Sequence, residues 1–271
     1  MNKLKRYYPF FINDLKSNMA YKGSFYLFMV CRIIEAFISY YLWMAIYNSS
    51  SNGVLGGLSK DEMVVYIFMT NITINVVGIG LSYHINKDVT EGAVAINLIK
   101  PIDYRMSLIS RAAGTAVYKL LIPGVFVWAG VEIYKCNVLN LKVTSISNML
   151  LYLISMILSF MIYVLFDFCF GMLAFTNTYM FGMNIVKHTV LTFLSGELIP
   201  ISFFPAAVGK IFELLPFSSM LYTPVMIYLG KYSVNEIIKA FALQIVWILL
   251  LYGLGSFLWK KITKRLIVLG G

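Results

Sequence analysis

Long apolar stretches recur along almost the whole of this 271-residue chain, and they constrain its fold more than any other feature. Hydrophobic residues make up 60% of the chain and charged residues 13%, whereas a soluble domain usually has about 45–50% apolar and about 25% charged residues. One soluble core cannot bury so many apolar side chains. The composition therefore predicts an all-α integral membrane protein with several spans, and it excludes an ordinary soluble enzyme, a disordered chain and a disulfide-stapled secreted module.

Six hydrophobic runs predict transmembrane helices, each of which takes roughly 20 residues. We place these spans at 24–47, 63–83, 107–133, 149–170, 185–199 and 237–259. Residues 1–22 mix basic with aromatic side chains, which is typical of a helix lying in the membrane interface. Pro123 predicts a kink in the third span. The chain is then a single transmembrane domain, with no room for a soluble catalytic domain.

Basic residues are distributed unequally between the two ends of these spans. Thirteen of the 22 lie on one side, namely Lys3, Lys5, Arg6, Lys16, Lys22, Lys87, Lys100, Arg105, Arg111, Lys260, Lys261, Lys264 and Arg265. Six lie on the other, namely Lys60, Lys135, Lys142, Lys210, Lys231 and Lys239. The positive-inside rule predicts that both termini are cytoplasmic. We expect the membrane to be the plasma membrane. Topology and anionic membrane lipids explain the net charge of +10, so we expect no nucleic-acid partner.

Prolines interrupt the apolar segment 200–230, between the fifth and sixth predicted spans. They are Pro200, Pro205, Pro216 and Pro224. Proline breaks helices, and irregular backbone persists at membrane depth only where protein or water satisfies it. We predict two short helices, 204–215 and 218–229, that re-enter the outer half of the bilayer.

Ionisable residues inside spans are costly and are functional candidates by default. Arg32 and Glu35, three residues apart, share a helix face and are expected to pair. Two roles stay open for this pair, locking helix packing or lining a transport path. Glu197, just before the proline-rich segment, is the third candidate for that path. Similar cases are Lys119, Glu132 and Asp167.

The segment 87–105 between the second and third spans is predicted to be cytoplasmic. Asp88 or Thr90 is expected to cap a short helix, and Pro101 to end it. Its apolar side would consist of Val94, Ile96, Leu98 and Ile99. Such a helix is either an interfacial anchor or a docking point for a cytoplasmic partner.

Several kinds of chemistry have no motif in this sequence. It contains no GxxxxGK[ST] phosphate loop, no HExxH and no GxSxG. His84 and His188 stand alone, and the three cysteines show no paired spacing. We therefore predict no catalytic residue, no metal site and no cofactor bound by this chain.

Three stretches together resemble the permease subunits of ABC-2 type ATP-binding-cassette exporters, in particular the branch of this length with a separately encoded ATPase. They are TEGAVAINLIKPID at 90–103, SGELIPISFFP at 195–205 continuing into LLPFSSMLYTPVMIYLG, and the terminal WKKITKRLIVLGG. The resemblance runs through essentially the whole chain in order and spacing. The wholly apolar stretch 266–269 departs from the pattern.

The resemblance implies six spans, an N-terminal interfacial helix, outer re-entrant helices and a coupling helix at 90–101 seated in the ATPase. The coupling residues it implies are Thr90, Glu91, Gly92, Val94, Ile96, Leu98, Lys100 and Pro101. The implied partners are a cytoplasmic ATPase dimer, which would bind ATP and magnesium, and a second permease, identical or homologous. Apolar and aromatic side chains favour an amphipathic or hydrophobic cargo such as a drug, peptide or lipid.

Two alternatives come from other classes of protein. An ion-coupled secondary transporter would be expected to show inverted repeats and spans broken at the midplane. We find no internal repeat, and the proline-broken segment lies near one side of the membrane. A polytopic membrane enzyme or assembly scaffold would need catalytic side chains clustered at one depth, which the sequence does not show.

Overall fold

The structure, a computed structural model, describes residues 3–20, 22–50, 53–177 and 179–269. Within these ranges five helical segments are long and apolar enough to cross a membrane. They are Val30–Ser49, Lys60–Thr90, Tyr104–Asn137, Ile146–Phe175 and Val234–Lys264. The chain is therefore an all-α polytopic membrane protein, as predicted, apart from one small hairpin.

The described helices follow one another along the whole chain. They are α1 (Tyr8–Ala20), α2 (Lys22–Ser49), α3 (Lys60–Val77), α4 (Leu81–Thr90), α5 (Ala93–Ile99), α6 (Tyr104–Lys119), α7 (Val125–Asn137), α8 (Ile146–Gly171), α9 (Phe181–Leu194), α10 (Ala206–Leu214), α11 (Tyr222–Tyr228) and α12 (Val234–Leu269). Short 3-10 turns occupy Lys3–Arg6, Met172–Phe175 and Ile201–Phe203. The hairpin pairs β1 (Val54–Leu55) with β2 (Leu58–Ser59) in antiparallel fashion.

The N-terminal helix α1 packs along α6. A Cβ atom at Gly114 would lie 2.3 Å from the carbonyl oxygen of Phe11, so only glycine permits this close approach. The Ser110 hydroxyl donates to the carbonyl of Tyr7 at 2.7 Å. Protein contacts thus hold α1 in place, and its location in the membrane interface stays a prediction.

The second predicted span is not one continuous helix. Two successive three-residue turns, centred on Gly78 and Gly80, join α3 to α4. In these turns the Ile79 amide donates to the Val77 carbonyl at 2.9 Å, and the Leu81 amide donates to the Ile79 carbonyl at 2.7 Å. The predicted span 63–83 lies within the apolar segment Lys60–Thr90, but the sequence analysis did not predict this break. Two glycines spaced by one residue let the helix unwind here.

The third predicted span departs from regular α-helix at its proline. Between α6 and α7 the helix widens into a π turn, Leu120–Gly124, that contains Pro123. A π turn accommodates the missing proline amide without ending the helix, so Tyr104–Asn137 remains one apolar segment. The helix is therefore distorted at Pro123, the residue at which the sequence predicts a kink.

The segment 87–105 contains the expected short helix, α5, but neither predicted cap is used. Thr90 ends α4, and its hydroxyl donates to the Asn86 carbonyl at 3.0 Å. Gly92 occupies the N-cap of α5 with φ 71°, a left-handed conformation that favours glycine. The prediction of Asp88 or Thr90 as cap is therefore wrong, because α4 continues through both residues and ends at Thr90.

The proline-rich segment forms two short helices, α10 and α11, close to the predicted 204–215 and 218–229. α9 ends at Leu194, five residues before the predicted end of the fifth span at 199. Pro200 precedes the 3-10 turn Ile201–Phe203, and Pro205 precedes α10. Pro216 lies in the turn between α10 and α11, and Pro224 lies in the first turn of α11, where its missing amide costs no helical bond.

Other elements enclose α11 completely. All seven of its residues are buried, and it packs against α3 and α8. The carbonyl of Ser219, just before α11, accepts hydrogen bonds from Ser159 at 2.8 Å and from Gln244 at 2.9 Å. Side chains of α8 and α12 thus provide hydrogen-bond donors for this backbone carbonyl outside a helix. Re-entry of α11 into the outer half of the bilayer stays a prediction.

Candidate functional site

A cavity of about 700 Å³ lies between α1, α2, α3, α4, α6, the π turn and the first turn of α7. Its polar and charged lining consists of Asp14, Ser17, Asn18, Arg32, Glu35, Asn71, Asn75, His84, Thr115 and Lys119. The apolar lining includes Phe37, Phe68, Ile72, Ile79 and Val127. The broken end of α3 contributes to the wall, because Gly78 and Gly80 also line the cavity.

The structure brings together all three residues proposed for the transport path. The Arg32 guanidinium lies 2.9 Å from the Glu35 carboxylate, which confirms the predicted pair, and 3.6 Å from the Glu197 carboxylate. The Glu197 side chain is 13% exposed and the Glu35 side chain 57% exposed. Arg32 therefore links α2 to the turn after α9. Whether these residues act in transport stays a prediction.

Two asparagines that the sequence analysis did not single out face the same cavity. Asn71 and Asn75 are four residues apart on α3 and share one helix face. The Asn71 amide donates to the Ile67 carbonyl at 3.0 Å. The signal available was two carboxamides at helical spacing within an otherwise apolar span.

Asp14 lies on the cavity wall that α1 provides. Burial raises the pKa of its carboxyl, and the charges of Arg111 and His84 act in the opposite direction. Arg111, one of the basic residues predicted to lie on the cytoplasmic side, thus acts on a carboxyl in the cavity wall. His84, which stands alone in the sequence, also lines the cavity.

A buried ion pair holds the start of α4. Lys187 on α9 pairs with Asp167 on α8, and their side chains are 5% and 0% exposed. Asp167 also accepts from the Ser82 amide at 2.8 Å, so it caps α4 from a different helix. Lys187 donates to the Ser82 hydroxyl at 2.7 Å, and that hydroxyl donates to Asn184 at 2.7 Å. The sequence analysis identified Asp167 but missed Lys187, although it was visible as a lysine inside the run 185–199.

A second polar cluster joins α7 to α11. Glu132 accepts a hydrogen bond from the Tyr228 hydroxyl and lies 3.6 Å from the Lys135 ammonium. The Thr144 amide donates to the same carboxylate at 3.3 Å. Glu132, one of the ionisable residues found inside the predicted spans, thus contacts the proline-rich segment through Tyr228.

The predicted coupling residues lie along the end of α4, the tight turn and α5. Glu91 lies 3.9 Å from Lys87, and Lys100 donates to Asn97 at 2.9 Å. Val94 is buried, whereas Ile99 is 82% exposed and Ile96 is also exposed. Much of the apolar face of α5 therefore has no covering residue within the described part of the chain.

None of these clusters has the ligands of a metal centre. Within the described residues, no three His, Cys, Asp or Glu side chains come together in a group that could hold a metal ion. The clusters instead join opposite charges, hydroxyls and amides, which is the arrangement expected of helix-packing and ligand-binding contacts.

Comparison with known proteins gives one family. The family model described as ABC-2 family transporter protein matches residues 33–269. The match covers most of the chain, including the cavity walls of α3 and α6, both buried clusters and the proline-rich segment. No curated protein matches the chain.

Proposed function

Because this chain belongs to the ABC-2 family of transporter proteins, we propose that it is the permease subunit of an exporter that moves an amphipathic or hydrophobic cargo across the plasma membrane. Family membership makes it a membrane-embedded transport component that is not itself catalytic, and implies an ATP-binding-cassette partner. We further propose that a separate cytoplasmic ATPase dimer binds ATP and magnesium. A second permease, identical or homologous, would complete the pathway.

We infer six spans, with α9 as the fifth. Its 14 residues extend about 21 Å at 1.5 Å per residue, which is shorter than a bilayer core of about 30 Å. The irregular segment after Leu194 would complete the crossing. An even number of spans agrees with cytoplasmic placement of both termini, which the unequal distribution of basic residues favours.

The observation that supports an ATPase contact is the uncovered apolar face of α5. Ile96 and Ile99 are exposed on a helix predicted to be cytoplasmic, where water would otherwise contact them. A groove in the ATPase would bury this face. The coupling residues around it are those from Thr90 to Pro101.

A mechanical path leads from α5 to the cavity. α5 is joined to α4 by the two-residue turn of Glu91 and Gly92, so movement of one displaces the other. The far end of α4 meets the cavity wall at Gly80. We propose that ATP-driven movement of α5 tilts α4 about the Gly78–Gly80 break and changes access to the cavity. Transport requires that cargo bind the two states with different affinity.

Co-purification of a tagged permease with its ATPase tests this proposal. We expect Ile99→Asp and Leu98→Asp to lose the ATPase and ATP-dependent transport in proteoliposomes, since a carboxylate cannot enter an apolar groove. Val143→Asp, at an exposed apolar position in the loop before α8, is the matched control and should retain both. If no ATPase is retained, and if Glu91 and Leu98 variants transport normally, the coupling role is wrong.

A further inference from the structure

Lys119 faces the cavity without a counter-ion. It lies near the middle of the apolar segment Tyr104–Asn137, where an ionised side chain is costly. Among the residues that the structure describes, no carboxylate lies within ion-pair distance of Lys119, and no hydrogen bond engages its ammonium. Buried cations in membrane proteins normally have a partner, so the unpaired ammonium points to a ligand that supplies the negative charge.

The wall formed by α3 adds uncharged polar groups. Most of α3 is buried, and its partly exposed positions after Glu62 are Phe68, Asn71 and Asn75, spaced by three and four residues along one face. Asn75 makes no side-chain hydrogen bond with a described residue. The Asn71 amide is used once, which leaves its side-chain oxygen free of a described partner. These groups are placed to contact a polar headgroup.

Among the charged side chains of the lining, Lys119 is the one whose surroundings favour an anion. Arg32 lies against two carboxylates, those of Glu35 and Glu197, so its charge is fully compensated. Asp14 adds a further carboxyl to the lining, and burial raises its pKa, which favours its neutral form. Lys119 has no ion-pair partner among the described residues, so a ligand beside it would be attracted if anionic and repelled if cationic. Phe37, Phe68, Ile72 and Val127 offer apolar surface beside the charge. A volume of about 700 Å³ falls within the usual range of about 300–1,000 Å³ for small-molecule sites.

We propose that this cavity binds an amphiphile with an anionic headgroup, phosphate or carboxylate, whose charge pairs with Lys119 and whose apolar part lies against Phe68 and Val127. The inference rests on the proposed function insofar as the ligand is the cargo. Charge-assisted hydrogen bonds from the ammonium would fix the headgroup, with Asn75 as a second contact. The cavity then selects cargo by the sign of its charge.

The native Cys31 reports on occupancy, because it lines the cavity and is exposed. The full chain, with Cys136→Ser and Cys169→Ser, is purified in dodecyl maltoside, and alkylation of Cys31 by N-ethylmaleimide is timed. We expect dodecyl phosphate to slow alkylation saturably. Inorganic phosphate, which lacks the apolar part, should protect only at much higher concentration, and dodecyltrimethylammonium should not protect.

Variants at Lys119 link protection to the unpaired charge. Lys119→Gln should raise the half-protecting concentration of dodecyl phosphate about tenfold or more, whereas Lys119→Arg should retain protection. Lys142→Gln, at an exposed lysine outside the cavity, is the control and should behave as the parent protein. Equal protection by dodecyl phosphate and dodecyltrimethylammonium, no protection by either, or full protection in Lys119→Gln would overturn the proposal.

The comparison of probes on the parent protein does not depend on how well any variant folds. The assay also needs no ATPase. Charge-selective protection without a retained ATPase would leave the binding site standing and refute the proposed coupling. ATP-dependent transport without charge-selective protection would refute the binding site and leave the proposed coupling standing.

Discussion

The Tyr66 hydroxyl donates a 2.6 Å hydrogen bond to the carbonyl of Gly196, across 130 residues of sequence. Gly196 has φ +82°, and a Cβ there would lie 2.9 Å from that hydroxyl and 3.2 Å from the Cβ of Tyr222. This bond ties α3 to the turn that leads into the proline-rich segment. It also places the neighbouring Glu197 within reach of Arg32.

Removing this bond should destabilise the protein. We expect Tyr66→Phe to lower the free energy of unfolding by about 1–3 kcal/mol, because it leaves a buried carbonyl unsatisfied. Gly196→Ala should lower the free energy of unfolding at least as much. Its Cβ would press against Tyr66 and Tyr222, and alanine is strained in the left-handed conformation of this residue. Thermal unfolding in detergent measures both. The control is Gly253→Ala on α12, where a Cβ meets nothing within 4 Å, and it should not lower the melting temperature.

The Asp167–Lys187 pair should show strong coupling. Asp167→Asn or Lys187→Met alone leaves one buried charge uncompensated, with an expected cost of about 3–5 kcal/mol. The double variant removes both charges and should cost less than the sum of the two single changes. A double-mutant cycle in thermal unfolding measures this coupling. Strictly additive effects would show that the two side chains do not stabilise each other.

The break between α3 and α4 should tolerate substitution less well at its first glycine, Gly78, than at Gly80. A Cβ at Gly78 would lie 2.5 Å from the backbone oxygen of Ile74, whereas one at Gly80 meets the movable ring of Tyr83 at 2.9 Å. We therefore expect Gly78→Ala to reduce ATP-dependent transport by about tenfold or more while the protein still reaches the membrane. Gly80→Ala should have a weaker effect. Similar transport by both variants and the parent would argue against movement about this break.

Glu197 should matter more to transport than Glu35. Both contact Arg32, but Glu197 is far less exposed, so water screens its interaction less. We expect Glu197→Gln to alter the transport rate or the cargo preference, and Glu35→Gln to have a smaller effect. Transport of a panel of anionic, neutral and cationic amphiphiles measures this. An unchanged cargo profile in Glu197→Gln would assign the residue to helix packing alone.

Asp14 should make stability depend on pH in a defined direction. Because burial raises the pKa of its carboxyl in the folded state, the folded protein binds that proton more tightly than the unfolded chain does. The group's contribution is therefore lost as pH rises from the ordinary aspartate value through the raised one. Asp14→Asn should reduce the fall in melting temperature over that range. A steeper fall in the variant would contradict the sign.

The sequence alone was sufficient for the membrane-spanning character and for most helix positions. The pair of Arg32 and Glu35 was also predictable, because residues three apart on one helix are neighbours whatever surrounds them. The break at Gly78–Gly80 was missed since isolated glycines are common in membrane helices and do not by themselves unwind one. The predicted caps of α5 were wrong because α4 extends through Asp88 and Thr90, which leaves Gly92 at the N-cap.

Hydrophobicity is a local property that adds up over about 20 residues, so composition and run length determined that this chain lies in a membrane. The contacts of buried polar groups are not local. Lys187 meets Asp167, Glu197 meets Arg32 and Lys119 is left unpaired only because of how distant helices pack against one another. In an apolar surrounding an ion is stabilised chiefly by the few atoms that touch it, and tertiary structure decides which atoms those are.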